Sequence, residues 1–215
     1  MNPRIKICCI SSEEEAAQAI SFGASAIGLV GKMPSGPGPI EDELIRTIAA
    51  SVPPPVATFL LTSEQRAEDI VAHHERTRTN TIQIVDELIG REYEAIRRAL
   101  PNVKLVQVIH VVDESSVDEA AELAECVDAI LLDSGNPTLA VKELGGTGRR
   151  HDWRLSRKIV ETCGKPVFLA GGLNAENVRE AIDVVQPFGL DICSGVRTGG
   201  NLDLFKLERF FTATS

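Results

Sequence analysis

Eight short apolar runs alternate with eight helix-like segments along this chain, and no shift in composition divides them. Strand-then-helix alternation favours a parallel sheet, and eight cycles favour a sheet that closes on itself. The apolar patterning predicts strands at Arg4–Ile10, Ala26–Val30, Val56–Leu61, Thr81–Val85, Val103–His110, Asp128–Leu132, Pro166–Ala170 and Leu190–Cys193. Helices are expected at Ser12–Phe22, Glu41–Ala50, Glu64–His74, Gly90–Leu100, Ser116–Ala124, Asp152–Thr162, Ala175–Val185 and Asp203–Phe211. The expected fold is α/β, a single (β/α)8 (TIM) barrel with residues 1–215 forming one domain. An open dinucleotide-binding sheet would carry G-x-G-x-x-G after its first strand, where this chain reads Cys8-Cys9-Ile10-Ser11-Ser12. In a barrel the chemistry sits at the carboxyl ends of the strands, which directs attention to the residues ending each run.

Charge narrows the partners. The chain holds 31 Asp+Glu against 22 Lys+Arg, a net charge of −9, with no basic run. That argues against nucleic acid or an anionic membrane as partner. No apolar stretch approaches membrane-spanning length, and the amino terminus enters a strand-like run without a signal-peptide pattern. The five cysteines are odd in number and include no C-x-x-C, which disfavours a disulfide framework or a zinc site and points to a reducing cytoplasm. No His, Asp or Glu set has metal-ligand spacing, so no metal or other cofactor is expected.

The clearest ligand signal is Phe168-Leu169-Ala170-Gly171-Gly172-Leu173-Asn174, an apolar strand running into two glycines and a helix start. Glycines let backbone approach an anion, and a helix start presents free N–H groups. Cys193-Ser194-Gly195-Val196 forms a second small-residue turn after the eighth strand. The loops after strands seven and eight are the usual phosphate site of this fold. Gly145-Gly146-Thr147-Gly148, in the long loop after strand six, could flank a ligand or simply bend a lid. Strand alternation puts Lys6 and Cys8 on the inner face and Ile5, Ile7 and Cys9 on the outer one. An ammonium beside Cys8 would favour a thiolate usable as base or nucleophile. Asp133, leaving the apolar run Ala129–Leu132, is a candidate general acid, though an Asp-Ser-Gly turn explains it equally well. His110 and Asp86 end strands five and four and are placed to face the site, whereas His73 and His74 are expected on a solvated helix surface.

In order and spacing these residues resemble the phosphoribosylanthranilate isomerase family of tryptophan biosynthesis across nearly the whole chain. The family's K-I-C-G appears as Lys6-Ile7-Cys8-Cys9, its aspartate after strand six as Asp133, its G-G-T-G at Gly145–Gly148, its A-G-G-L-x-x-x-N-V at Ala170–Val178, and its S-S-G-V as Cys193–Val196. The resemblance implies a cofactor-independent aldose–ketose isomerase acting on a small phosphorylated aminosugar, N-(5-phosphoribosyl)anthranilate. It implies Asp133 as general acid, Cys8 as the base at C2′, and phosphate held by Gly172, Leu173, Asn174, Ser194 and Gly195. Lys6 and Gly146 complete the expected substrate contacts. Besides Cys193, the chain departs from the pattern in four places. The second βα loop, Gly31–Pro39, has no arginine, which leaves Lys32, or Arg149 and Arg150, to meet the aromatic carboxylate. The Q-L-H-G after strand four reads Gln83-Ile84-Val85-Asp86, the glutamate after S-G-V is Arg197, and the glycine after the first cysteine is Cys9. Two alternatives stay open: a related isomerase for another phosphorylated aminosugar, and a non-catalytic phosphate-ligand barrel. Either a monomer or a homodimer fits the sequence.

Overall fold

The computed structural model describes residues 2–135 and 151–214. Its eight barrel strands are β1 (Arg4–Ile7), β2 (Ala26–Val30), β3 (Ala57–Thr62), β4 (Thr81–Ile84), β5 (Lys104–His110), β6 (Ala129–Asp133), β7 (Val167–Leu169) and β8 (Gly189–Ile192). All pair in parallel in sequence order, and β1 pairs with β8 to close the barrel, as the alternation predicts. The helices are α1 (Glu13–Ser21), α2 (Asp42–Ser51), α3 (Ala67–Thr77), α4 (Tyr93–Ala99), α5 (Ser115–Ala124), α6 (Trp153–Thr162), α7 (Val178–Val185) and α8 (Leu204–Thr214).

Period-two alternation sorts the strands into two cores. Outward residues such as Ile7, Leu60, Leu132, Leu169 and Leu190 pack on the helices. Inward residues such as Cys8, Phe59, Leu61, Val106, Leu131 and Phe168 fill the barrel. Phe59 meets Phe168 edge-on at a ring separation of 5.9 Å. Several boundaries follow caps. Ser12 accepts from the Glu15 amide at 3.1 Å and starts α1, and Asp152 accepts from the Arg154 amide at 2.9 Å and starts α6.

Three local expectations change. The first is α7, which begins at Val178 rather than Ala175, because Asn174 and Asn177 bond each other's backbone and hold the preceding residues in a turn. The second is the segment after β8, which is not loop alone. Arg197–Thr198 (β9) and Asn201–Leu202 (β10) pair as a hairpin across Gly199 and Gly200, both at positive φ. The third concerns His73 and His74, which are buried rather than solvated. His73 bridges Thr62 Oγ1 at 2.9 Å and Asp42 Oδ1 at 3.1 Å, and His74 Nε2 meets the Thr79 carbonyl at 2.7 Å. These bonds to three of the four ring nitrogens replace water that a buried imidazole gives up. No described helix is long and apolar enough to cross a membrane.

Candidate active site

A cavity opens at the carboxyl end of the barrel. Its walls come from the carboxyl ends of all eight strands and from the Gly31–Pro39 loop, which supplies Met33, Ser35, Gly36 and Pro37. Cys8, Asp133, Gly172, Leu173 and Ser194 all line it, so five expected site residues meet in one space.

Cys8 extends the β1–β8 ladder, its amide donating to the Ile192 carbonyl at 2.8 Å. The side chain points inward, as alternation requires. A hydrogen bond from the Cys9 thiol and the charge of Lys6 lower the Cys8 pKa, with burial opposing both. Lys6 is fully buried and does not line the cavity. It lies deeper in the barrel, donating to Asp191 Oδ1 at 2.7 Å and resting 5.3 Å from the centre of the Phe59 ring. Burial would lower its pKa, but Asp191 and the Cys8 sulfur outweigh that and raise it. Lys6 is therefore a fixed cation behind the sulfur. Asp191 reaches the cavity wall, and burial raises its carboxyl despite Lys6.

Cys9 does not face outward. Its backbone turns into the left-handed region at φ 61°, which swings the side chain back into the barrel core. There the Cys193 thiol donates to the Cys9 sulfur at 2.7 Å. Contacts with the Cys193 and Cys8 sulfurs, together with burial, raise the Cys9 thiol, making it the protonated member of the group.

Asp133 ends β6 half-exposed, and its Oδ1 accepts from the Ser134 amide at 2.7 Å. His110 sits across from it in the β5–β6 register. Burial lowers the His110 pKa, partly offset by Asp133. His151 also feels Asp133, yet burial pushes it down to about 4, so both rings are neutral near pH 7. His110 and Asp86 face a neighbouring cavity with Glu87, Arg91 and Tyr93, not the one that holds Cys8.

The phosphate-loop residues divide into two roles. Gly171 and Gly172 take φ of 85° and 64°, conformations that glycine adopts without strain. Asn174 is spent on the turn, its amide donating to Asn177 Oδ1 at 2.9 Å and its Oδ1 accepting from the Glu176 and Asn177 amides. Gly195 lies behind the wall, where a Cβ would collide with the Leu173 carbonyl oxygen. It lets the β8 turn pack directly on the β7 turn.

Lys32 is exposed and outside the lining, with its carbonyl accepting from Ser63 Oγ at 3.2 Å. Gly146, Arg149 and Arg150 lie outside the described residues. No cationic side chain lines the cavity among the described residues, and none of their His, Cys, Asp and Glu groups is arranged to hold a metal.

A family model described as N-(5'phosphoribosyl)anthranilate (PRA) isomerase matches residues 5–213. The chain belongs to this family. It is 36% identical over 209 residues to N-(5'-phosphoribosyl)anthranilate isomerase 2 of Methanosarcina mazei, covering 96% of this chain and 92% of that one. The crystal structure of phosphoribosyl anthranilate isomerase from Thermotoga maritima superposes with a TM-score of 0.82 at 31% identity, covering 99% of this chain and 98% of that one. Another solved phosphoribosyl anthranilate isomerase, in complex with reduced 1-(o-carboxyphenylamino)-1-deoxyribulose 5-phosphate, matches at a TM-score of 0.79 and 29% identity over 99% of this chain and 98% of its own.

Alternation placed Lys6 and Cys8 inside the barrel, but three participants went unread. Asp191 could have been found, since an aspartate between Leu190 and Ile192 must face inward. Gln83 lines the cavity by the same logic, and its Oε1 is buried without a partner among the described residues. The Cys9–Cys193 contact had no local signal, because it needs both a reversed φ and barrel closure.

Proposed function

We propose that this protein isomerises N-(5'-phosphoribosyl)anthranilate to 1-(2-carboxyphenylamino)-1-deoxyribulose 5-phosphate, a step of tryptophan biosynthesis. The observation that carries the reading is the meeting of Cys8, Asp133 and the Gly171–Leu173 and Ser194 turns around one cavity in a chain of this family. Asp133 donates a proton to the ribose ring oxygen, and the ring opens to the Schiff base. The Cys8 thiolate then takes the proton from C2′, and the resulting enolamine tautomerises to the aminoketose. The phosphate sits on the backbone amides of Gly172, Leu173 and Ser194, a mode that needs no basic side chain. The anthranilate ring rests on Met33 and Pro37 of the second βα loop, beside Ser35. Either a monomer or a homodimer is compatible with this reading. The five unpaired cysteines suit a reducing cytoplasm.

Loss of the fluorescent phosphoribosylanthranilate, followed in wild type, Cys8→Ala and Asp133→Asn, tests the reading. Each variant should lose about 10²–10⁴-fold in kcat, the usual worth of a general acid or base. The acid limb of kcat/KM in wild type should fall below the ordinary thiol value of about 8.5, since Cys8 is lowered. Turnover unchanged in both variants overturns the two roles. A second reading, isomerisation of another phosphorylated aminosugar, draws on the absence of a cation among the described lining residues. Turnover of such a substrate by folded wild type that leaves phosphoribosylanthranilate untouched would select it.

A further inference from the structure

We propose that Cys9 and Cys193 are a disulfide-forming site, and that oxidising them with a small-molecule disulfide switches the isomerase down by tying up the thiol next to Cys8 in the barrel core. The switch rests on the reading of Cys8 as the base. The pairing of Cys9 with Cys193 does not.

The two sulfurs are 2.7 Å apart although their residues are separated by 184 positions. Both follow strands that pair directly, β1 and β8, so barrel closure fixes their approach. Cys9 is held in place from three sides. Its left-handed φ turns it inward, its carbonyl accepts from Arg197 Nη2, and its thiol faces the Pro37 carbonyl at 3.7 Å. Where the family motifs read glycine and serine, this chain has Cys9 and Cys193, and these two departures touch. Cys193 is the most exposed of the three cysteines at the site and lines the cavity, so a small reagent can reach it. Cys163, by contrast, packs in the outer core and bonds the Lys165 carbonyl.

The chemistry balances as thiol–disulfide exchange. The Cys193 thiolate attacks a disulfide RSSR, a Cys193–SR bond forms, and one RS⁻ leaves. Cys9, losing its proton as it reacts, attacks the Cys193 sulfur and expels the second RS⁻. Two cysteine thiols are oxidised to one disulfide, and RSSR is reduced to two RSH that take up the two protons released. Cys9 then has no hydrogen to give, and Cys8 loses the contact that most favours its thiolate. Lys6 stays in place, so the fold and the phosphate turns persist while the base weakens. A lost hydrogen bond to a charged sulfur corresponds to about 10–100-fold in thiolate population below the limb of the pH profile.

The test exposes the folded full-length protein to glutathione disulfide, then to dithiothreitol, and follows both cross-links and turnover. Tryptic mapping should join the peptide that begins at Ile7 to the peptide that ends at Arg197, and Cys8→Ala should keep that link. Turnover at neutral pH should fall about 10–100-fold, recover with dithiothreitol, and show an acid limb displaced to higher pH. Oxidised and reduced activities are compared within each variant, so Cys193→Ser should show neither the cross-link nor the loss. Absence of the link in folded protein overturns the site, and an equal loss of activity in Cys193→Ser overturns the switch. If the link forms in protein that never turns over phosphoribosylanthranilate, the isomerase reading fails and takes the switch with it. The thiol pair is then measured on its own.

Discussion

Lys6 shows how one buried charge shapes the chemistry above it. A fully buried ammonium is tolerable only with a partner, and Asp191 at 2.7 Å is that partner. The Cys9 hydrogen bond does most to lower the Cys8 pKa, and the Lys6 charge adds to it, against burial and the opposing charge of Asp191. Lys6→Met should therefore act on stability and chemistry together. It strands Asp191, and breaking a buried pair from one side costs about 3–5 kcal/mol. Asp191 already has a raised pKa, and without Lys6 it rises further. A carboxyl raised in the folded state stabilises below its unfolded value of about 4 and loses that contribution as pH climbs through the folded value. Urea unfolding should accordingly show a smaller deficit for Lys6→Met at pH 5 than at pH 8. Lys6→Met with Asp191→Leu should recover most of the loss, while the acid limb of turnover still moves upward. An equal deficit at both pH values would mean that Asp191 is not the stranded group. The inward pointing of Lys6 was legible from alternation, because Ile5 and Ile7 must pack on helices. Its depth below the cavity was not, since alternation fixes the face of a residue and not its layer.

At the scale of elements, α1 is tied to the chain beyond β8 by a buried ion pair. Glu15 reads in the sequence as one of three acidic residues favoured by the start of a helix, alongside Glu13 and Glu14. The structure gives it a different task. It accepts from Ser11, from the Leu202 amide and from both Nη atoms of Arg197, and Arg197 Nη2 also donates to the Cys9 carbonyl. The pair thus clamps the β10 end of the hairpin and the backbone beside Cys8. A periodic pattern cannot separate Glu15 from its neighbours, because all three suit the helix start and only the hairpin selects one. The hairpin went unread, although Thr198-Gly199-Gly200-Asn201 is a turn sequence, and both glycines do take positive φ. Arg197→Met should destabilise by about 3–5 kcal/mol and lower kcat more than it raises KM, because the Cys8–Cys9 backbone loses its anchor while the phosphate turns remain. Arg197→Lys restores charge but not the forked contact, so it should recover stability better than kcat. Burial raises Glu15, but the Arg197 and amide hydrogen bonds outweigh it and leave its pKa lowered. Its contribution is therefore present above the unfolded value of about 4.3 and lost as pH falls through the folded one. A variant whose KM alone changed would show that the pair holds substrate and not the base.

The whole molecule assembles its site by closing a ring. Lys6 with Asp191, Cys9 with Cys193, and Glu15 with Arg197 are separated by 185, 184 and 182 positions, and all depend on β1 meeting β8. Contacts of that separation carry loop-closure entropy that no local pattern records, so the strand ends were legible while the pairs between them were not. The phosphate turns share the dependence, because Gly195 of the β8 turn rests on the Leu173 carbonyl of the β7 turn. A ligand bound across both turns should hold the ring shut, and linkage sets how strongly. Inorganic phosphate at a hundred times its Kd should add about 2.7 kcal/mol, a rise in Tm of about 5–11 °C for a domain of this size. Gly195→Ala places a methyl group against a backbone oxygen that cannot step aside, so the two turns must part. Scanning calorimetry should then show a lower Tm without phosphate, a much smaller rise with it, and a raised KM for the phosphorylated substrate. If Gly195→Ala kept the full phosphate-dependent rise, the anion would be held by one turn alone, and closure of the ring would owe nothing to the ligand.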